Sequence, residues 1–273
     1  MAIIAISRES FVRGSEVGKK VAERLGYECI SREILIEASE VFNIPEIKLV
    51  RAIHDAPSIL DRIRYGKVRY IAYIRTALLR RVQKDNVIYH GVAGHIFLQD
   101  IPHVLKVRIF DDMERRVREE SIRMKISEEE ARDALKKDDE ERRKWGLSLY
   151  GKDTWDAGLY DLVMRLNTLT PEDAADIIAQ TAVKASFQAT PESQQLLDDR
   201  VLASQVESIL IEEYPRIVVK AGKGDVEIHI ATGITPVSAS KKEEIIRKVE
   251  EIAVGLGGAR SARVEVSHSL PGI

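Results

Sequence analysis

The chain has 273 residues, of which 44% are hydrophobic, so its composition excludes a disordered protein and leaves room for two domains. Lysine and arginine (42) nearly balance aspartate and glutamate (44), so no overall attraction to nucleic acid or membranes is expected. A single cysteine, Cys29, excludes an intramolecular disulfide, and no apolar run approaches the length of a membrane span or a signal-peptide core, which together predict a cytoplasmic protein without transmembrane contact.

The first predicted element is a strand over Ala2–Ile6, whose continuous apolar character is typical of a parallel-sheet strand covered on both faces. A polar turn over residues 7–15 follows, and then an amphipathic helix with Val17 and Val21 on its apolar face. Strand, loop and helix in this order are typical of a phosphate-binding P-loop.

The loop itself departs from the G-x-x-x-x-G-K-[ST] pattern. Arg8 and Arg13 stand at the two glycine positions, Gly14 stands at the lysine position, and only Ser15 keeps its expected residue type. An arginine at a glycine position disfavours positive φ and crowds a phosphate, although its guanidinium carries a compensating charge. Two alternatives stay open: an anion site at the helix N-terminus near Gly14 and Ser15, or a plain connection in which Ser15 is the N-cap.

The rest of the first domain alternates strands with helices, which predicts a doubly wound α/β domain with a parallel sheet. The further strands are predicted over residues 27–30, 87–90, 104–110 and 160–166. The further helices are predicted over residues 32–42, 44–56, 68–85, 113–124, 127–144 and 171–187.

Composition changes after Phe187. We predict a linker over residues 189–195, between a domain of residues 1–188 and a domain of residues 196–273. In the second domain a helix (196–213), two strands (216–221 and 225–231), a helix (241–254) and a strand (262–266) follow one another. This order predicts a small αββαβ unit of the α+β class.

Three local patterns of the first domain resemble the cytidylate kinase-like family of P-loop phosphotransferases over about residues 2–187. They are Ile6-Ser7-Arg8-Glu9 continuing through Gly14 to Gly26, Ser31-Arg32-Glu33-Ile34, and a charged series of Arg115, Arg116, Asp138, Asp139, Arg142 and Arg143 that leads to Tyr160-Asp161-Leu162-Val163 and Asn167-Thr168. The resemblance implies a P-loop kinase-type three-layer parallel sheet with a helical lid. It also implies ATP with Mg²⁺ as cofactor and CMP or a similar acceptor.

The resemblance implies a set of candidate site residues, and Arg13 is added to it as a guanidinium in place of the missing loop lysine. The catalytic candidates are Arg13, Arg142 and Arg143; the phosphate- and nucleotide-binding candidates are Arg8, Gly14, Ser15, Glu16, Arg32, Gly91 and Asp139; and Ser15 is the candidate Mg²⁺ ligand. The chain departs from the family at Phe11-Val12-Arg13-Gly14, where members carry Gly-Ser-Gly-Gly, and at Gly91-Val92-Ala93-Gly94, where they tend to carry Gly-Arg-Gly. Both departures remove phosphate recognition.

Several charged side chains have a structural alternative. For Arg116, Lys125 and Lys144 we favour ion pairs with glutamates along a solvated helix, whereas both uses stay open for Arg142 and Arg143. The tyrosines interleaved with the basic series of residues 62–81 favour packing over nucleic-acid binding. The six histidines show no H-E-x-x-H or cysteine-containing spacing, so neither zinc nor haem is expected.

The C-terminal unit, about residues 196–270, resembles a BON domain, a family usually linked to ligand or membrane-surface binding; a generic α+β unit is the alternative. Two functions are therefore left: a CMP kinase with a degenerate loop, or a kinase-fold protein with weak or no turnover that senses a nucleotide or anion. The predicted partner is a nucleotide or another phosphorylated small molecule, without specific nucleic acid. A homo-oligomer or a protein partner bound through the C-terminal domain stays open.

Overall fold

The computed structural model describes residues 2–9, 11–54, 66–233 and 237–269. Five strands form the first sheet in the order β2-β3-β1-β4-β5, and each neighbouring pair is parallel. These strands are β1 (Ile3–Arg8), β2 (Glu28–Ile30), β3 (Val87–His90), β4 (Val104–Phe110) and β5 (Leu162–Arg165). The predicted P-loop kinase-type sheet is confirmed.

Helices cover both faces of this sheet, as expected for parallel strands joined by crossover helices. They are α1 (Phe11–Leu25), α2 (Glu33–Phe42), α3 (Glu46–His54), α4 (Gly66–Val82), α5 (Gly94–Phe97), α6 (Met113–Met124), α7 (Glu128–Tyr150) and α8 (Pro171–Ala182). Within the described ranges, no helix is both long and apolar enough to cross a bilayer.

The central strand β1 is buried on both faces. Ile3 and Ala5 belong to the apolar cluster under α2–α5, while Ile4 and Ile6 belong to the cluster under α1 and α8. This alternation follows from the two-residue period of a strand and explains why the sequence shows an unbroken apolar run. The carboxyl end of β1 is thereby held between two packed layers.

The C-terminal unit has the predicted αββαβ order. Its elements are α9 (Pro191–Leu210), β6 (Ile217–Gly222), β7 (Asp225–Ala231), α10 (Ala239–Gly255) and β8 (Ser261–Ser267). β7 lies between its neighbours, antiparallel to β6 and parallel to β8. Val226, Ile228 and Ile230 are buried, so alternate residues of β7 face the core of this unit.

The predicted start of α9 at residue 196 is wrong, because the helix already begins at Pro191. Thr190 caps it with a reciprocal capping box to Ser193, and proline at the first position is well suited to a helix start. Most of the segment predicted as a linker is therefore helix. The Thr-Pro-Glu-Ser composition that suggested a linker is also a helix-start signal.

Helix α9 takes part in the cores of both units. Leu197 and Val201 are buried in the cluster of the first sheet, whereas Val206 and Leu210 are buried with the second sheet. From the other side, Tyr73 of α4 joins the second cluster. The two units thus share packed surface along α4 and α9.

We expect Leu197→Ala to lower the free energy of unfolding by about 2–5 kcal/mol, because it removes a fully buried side chain from the first core. Leu196→Ala is the matched control, since Leu196 is 48% exposed and surface changes cost at most about 0.5 kcal/mol. Urea unfolding checks both. If both substitutions lowered the free energy of unfolding by the same small amount, the packing of α9 against the first unit would be contradicted.

Candidate functional site

The connection between β1 and α1 differs from the expected phosphate loop. β1 ends at Arg8 and α1 begins at Phe11, so Gly14 and Ser15 lie inside the helix. The prediction that α1 begins at Ser15 is wrong, so Ser15 is neither its N-cap nor its first residue. Phenylalanine, valine and arginine in place of glycines favour right-handed helical backbone, so the helix starts earlier than in a glycine-rich loop.

Gly14 serves a packing purpose at this junction. A Cβ on Gly14 would lie 2.3 Å from Cδ of Arg8 and 2.6 Å from its Cβ. Because Gly14 has no side chain, the Arg8 side chain can pack directly against the backbone of α1 at this position. The side chain that occupies this space is an arginine, which brings a positive charge into the cleft at the end of β1.

Arg142 of α7 meets Arg8 at the carboxyl edge of the sheet. Nη1 of Arg142 donates to the Arg8 carbonyl at 2.8 Å, and Nη2 of Arg142 lies 2.6 Å from a carboxylate oxygen of Asp138. Burial, and then the charge of Arg142, lower the pKa of Arg8 to about 10, so the Arg8 guanidinium stays charged at neutral pH. Arg142 therefore lies close enough for its charge to act on that of Arg8.

Asp138 is the carboxylate that holds Arg142 in place. Burial acts to raise the pKa of Asp138, but the interaction with His54 and the charges of Arg142 and Arg116 outweigh it and lower the pKa. The His54 Nδ1 lies 3.9 Å from the other Asp138 oxygen. Asp138 therefore remains ionised and links α7 to α3.

Two cavities open on this arginine pair. The residues that line both cavities are Arg8, Gly91, Val92 and Arg142. The smaller cavity, of about 40 Å³, is also lined by Ser7, Glu9, Ala93, His95, Ile96, Arg108, Asp139, Trp145, Thr154 and Trp155. The larger cavity, of about 350 Å³, is also lined by Ser31, Arg32, Leu35, Ile47, Val50, Ile53, His54 and Tyr89. The structure thus brings together predicted site residues from β1, from the turn after β3 and from α7, the helix in the place of the implied lid.

The profile of the cytidylate kinase-like family matches residues 3–168, from the start of β1 to just beyond β5. This chain belongs to the cytidylate kinase-like family. The cytidylate kinase of Sulfolobus acidocaldarius is similar at 28% identity over 168 residues, which cover 60% of this chain and 85% of that relative.

Two solved structures align with this family member at lower sequence identity. A protein of Eubacterium ventriosum described as uncharacterized aligns with a TM-score of 0.49 and 20% identity over 67% of this chain and 98% of its own. The shikimate kinase of Acinetobacter baumannii, in complex with shikimate, aligns with a TM-score of 0.38 and 16% identity over 69% of this chain and 96% of its own.

In this cytidylate kinase-like protein, Arg116 of α6 connects the lid helix α7 to the chain that follows β1. The prediction of an exposed Arg116 is wrong: it is 3% exposed and donates to both carboxylate oxygens of Asp139, at 2.7 and 2.8 Å, and to the Glu9 carbonyl at 3.2 Å. The Glu9 carboxylate in turn accepts from Arg108 at 2.7 Å. Asp139, a predicted nucleotide contact, is thus engaged by the protein itself. Lys144 forms the predicted surface pairs with Glu140 and Glu141.

The other candidate arginines are held by carboxylates around the cleft. Nε of Arg13 lies 2.8 Å from Glu119 and 3.2 Å from Asp111, and Arg13 lines neither cavity. Arg143 pairs with Asp153 at 2.7 Å and lies over the Trp155 ring. Arg32 lines the larger cavity, and its side chain is 73% exposed and pairs with Glu46 at 2.6 Å. Glu16 is exposed on α1.

The residues present do not fit a magnesium site for ATP. Ser15 lies in the second turn of α1 rather than at the start of a helix that follows a phosphate loop. Over the ranges that the structure describes, no three His, Cys, Asp or Glu side chains converge to hold a metal ion by protein ligands alone. The lid carboxylates Asp138 and Asp139 are already bonded to Arg142 and Arg116.

Sequence reasoning missed the apolar wall of the larger cavity and the role of His54. Ile47, Val50 and Ile53 recur every three residues along α3, a helical spacing that puts them on one face. That pattern is visible in the sequence, but it does not distinguish a cavity wall from ordinary core packing.

We expect Arg116→Met to lower the free energy of unfolding by about 3–5 kcal/mol, because it leaves the Asp139 carboxylate without its buried partner. Arg118→Met on the same helix is the matched control, since Arg118 is exposed and should cost at most about 0.5 kcal/mol. Chemical denaturation measures the difference. Equal stability of the two variants would contradict the proposed anchoring of the lid.

Proposed function

We propose that this protein binds a small phosphorylated ligand at Arg8 and Arg142, and that it transfers phosphoryl groups from ATP to CMP very weakly or not at all. The observation that carries the proposal is the junction of β1 and α1. The helix begins at Phe11, where a phosphate loop would stand, and Arg8 and Arg142 line the same two cavities, close enough for the charge of Arg142 to lower the pKa of Arg8.

Electrostatics support an anion at this position. Arg8 and Arg142 carry like charges in a partly buried place, and a phosphate between them would offset both the repulsion and the cost of burial. Guanidinium groups suit phosphate because they donate two parallel hydrogen bonds. Arg32, at the rim of the larger cavity, is a third candidate contact if it exchanges Glu46 for the ligand.

Loss of turnover follows from what the loop no longer supplies. Phosphoryl transfer depends on positioning and on positive charge around the transferring group. The loop lysine is replaced by Gly14, and the arginine of the family's third-strand turn is replaced by Val92. Each hydrogen bond to a charged group contributes about 1.5–3 kcal/mol, so the loss of two slows the reaction by about two to four orders of magnitude.

For the C-terminal unit, we propose a BON-like domain that serves as a regulatory or partner-binding element. The αββαβ order and the single buried face of its sheet support this assignment. Its helix α9 contacts α4 through Thr76 and Ser204 and through the ion pair of Arg75 with Glu207. These contacts provide a physical connection between the unit and the kinase-type domain.

Calorimetric titration with inorganic phosphate and with CMP tests ligand binding. Arg8→Met and Arg142→Met should each weaken phosphate binding by about 10- to 100-fold, as the loss of charge-assisted hydrogen bonds implies. Arg51→Met is the matched control, because Arg51 is exposed on α3 and lines neither cavity. Circular dichroism melts of the free variants verify that each is folded. Unchanged affinity in both folded cleft variants would refute the proposal.

A coupled assay with ATP, Mg²⁺ and CMP separates this proposal from the alternative of an active CMP kinase. We expect turnover below about 1 per second, the lower end of the ordinary kinase range. Turnover of about 1–100 per second would instead support the kinase, the activity named for the Sulfolobus acidocaldarius relative.

A further inference from the structure

The larger cavity has two chemically different sides. One side is cationic: Arg8 and Arg142 both line the cavity, Arg142 donates to the Arg8 carbonyl, and His54 lines the cavity as well. Its wall is aliphatic, formed by Leu35 of α2 and by Ile47, Val50 and Ile53 of α3. A ligand that fills this space must present an anion at one end and an apolar surface along its body.

The aliphatic wall is a built feature of the fold. Ile53 is 2% exposed and belongs to the core cluster under the first sheet, and Leu35 packs against the same cluster. Trp145 of the lid donates to the carbonyl of Ala52 at 3.0 Å, which fixes α3 against α7. The wall therefore stands at a fixed place opposite the arginine pair.

The wall offers little to recognise a nucleobase. A base is recognised through hydrogen bonds to its polar edge, usually from amides, carboxylates or backbone groups. The described lining of the cavity contains no amide and no carboxylate side chain. The Tyr89 hydroxyl in this lining donates to the carbonyl of Val92 at 3.0 Å. A polar base edge placed against Leu35, Ile47 and Val50 would lose its hydrogen bonds with water.

We propose that the ligand of this cavity is a small, soluble phosphomonoester with an apolar body, rather than a nucleotide. The inference deepens the proposed function, because it rests on an anion held at Arg8 and Arg142. The phosphate lies at the arginine pair, and the alkyl or aryl body lies along the wall of Leu35, Ile47, Val50 and Ile53. A volume of about 350 Å³ lies in the range of sites for small organic ligands and accommodates a phosphate with a short chain or a single ring.

A homologous series of ligands tests the inference on the full-length protein. Calorimetric titration with inorganic phosphate and then with methyl, ethyl, butyl and hexyl phosphate measures how affinity changes with chain length. We expect the Kd to fall about three- to fourfold for each methylene added until the wall is covered, the factor that corresponds to burying one CH₂ group. CMP should bind more weakly than hexyl phosphate.

Substitutions in the wall locate the effect. Leu35→Ser and Val50→Thr should weaken hexyl phosphate binding by about three- to tenfold and leave inorganic phosphate within twofold. Ile36→Ser is the matched control for the first, because Ile36 neighbours Leu35 on α2, is 44% exposed and does not line the cavity. Val50→Thr keeps the shape of the side chain, so it tests the wall even if Leu35→Ser fails to fold.

The outcomes separate this inference from the proposed function. If inorganic phosphate binds in an Arg8-dependent way but affinity does not rise with chain length, the inference is overturned and the proposed function stands. If CMP binds more tightly than hexyl phosphate, the inference is likewise overturned and the proposed function stands. If inorganic phosphate and all alkyl phosphates fail to bind, both are overturned.

Discussion

Arg8 and Arg142 both line the cleft at the carboxyl edge of the first sheet, and the arrangement of the cleft depends on how these two side chains are held there. The Arg8 carbonyl and the Asp138 carboxylate fix Arg142, while Gly14 leaves room for the Arg8 side chain. Beside them, Arg116 fastens Asp139 of the lid to the backbone of Glu9. Charged groups that belong to the protein therefore occupy the region where a phosphate loop and a mobile lid are expected.

Much of the fold follows from local sequence patterns. The apolar runs of β1, β3 and β4 and the caps of α6 and α7 are decided within a few residues, so β3, β4 and α6 have the predicted bounds. The early starts of α1 and α9 were missed, because Phe11-Val12-Arg13 and Thr190-Pro191-Glu192-Ser193 fit a loop as well as a helix. The burial of Arg116 was missed as well, since its partner Asp139 lies on another helix and comes close only in the folded chain.

The sequence predicted several residues of the candidate site, but it did not predict which groups those residues bind. The family resemblance identified Arg8, Arg32, Gly91 and Arg142, which line the larger cavity. Arg13 and Arg143, the other two predicted catalytic arginines, are paired with carboxylates and line neither cavity. An arginine is equally suited to a phosphate and to a carboxylate, so the sequence cannot say which it holds. The aliphatic wall points in addition to a ligand chemistry that the family name does not suggest.

A crystal structure of the protein grown with methyl phosphate tests the central claim most directly. The account predicts a phosphoryl group within hydrogen-bond distance of the guanidinium groups of Arg8 and Arg142, with α1 still beginning at Phe11. A phosphoryl group bound instead by the backbone N–H groups of residues 11–15, in a loop opened from the first turns of α1, would contradict it.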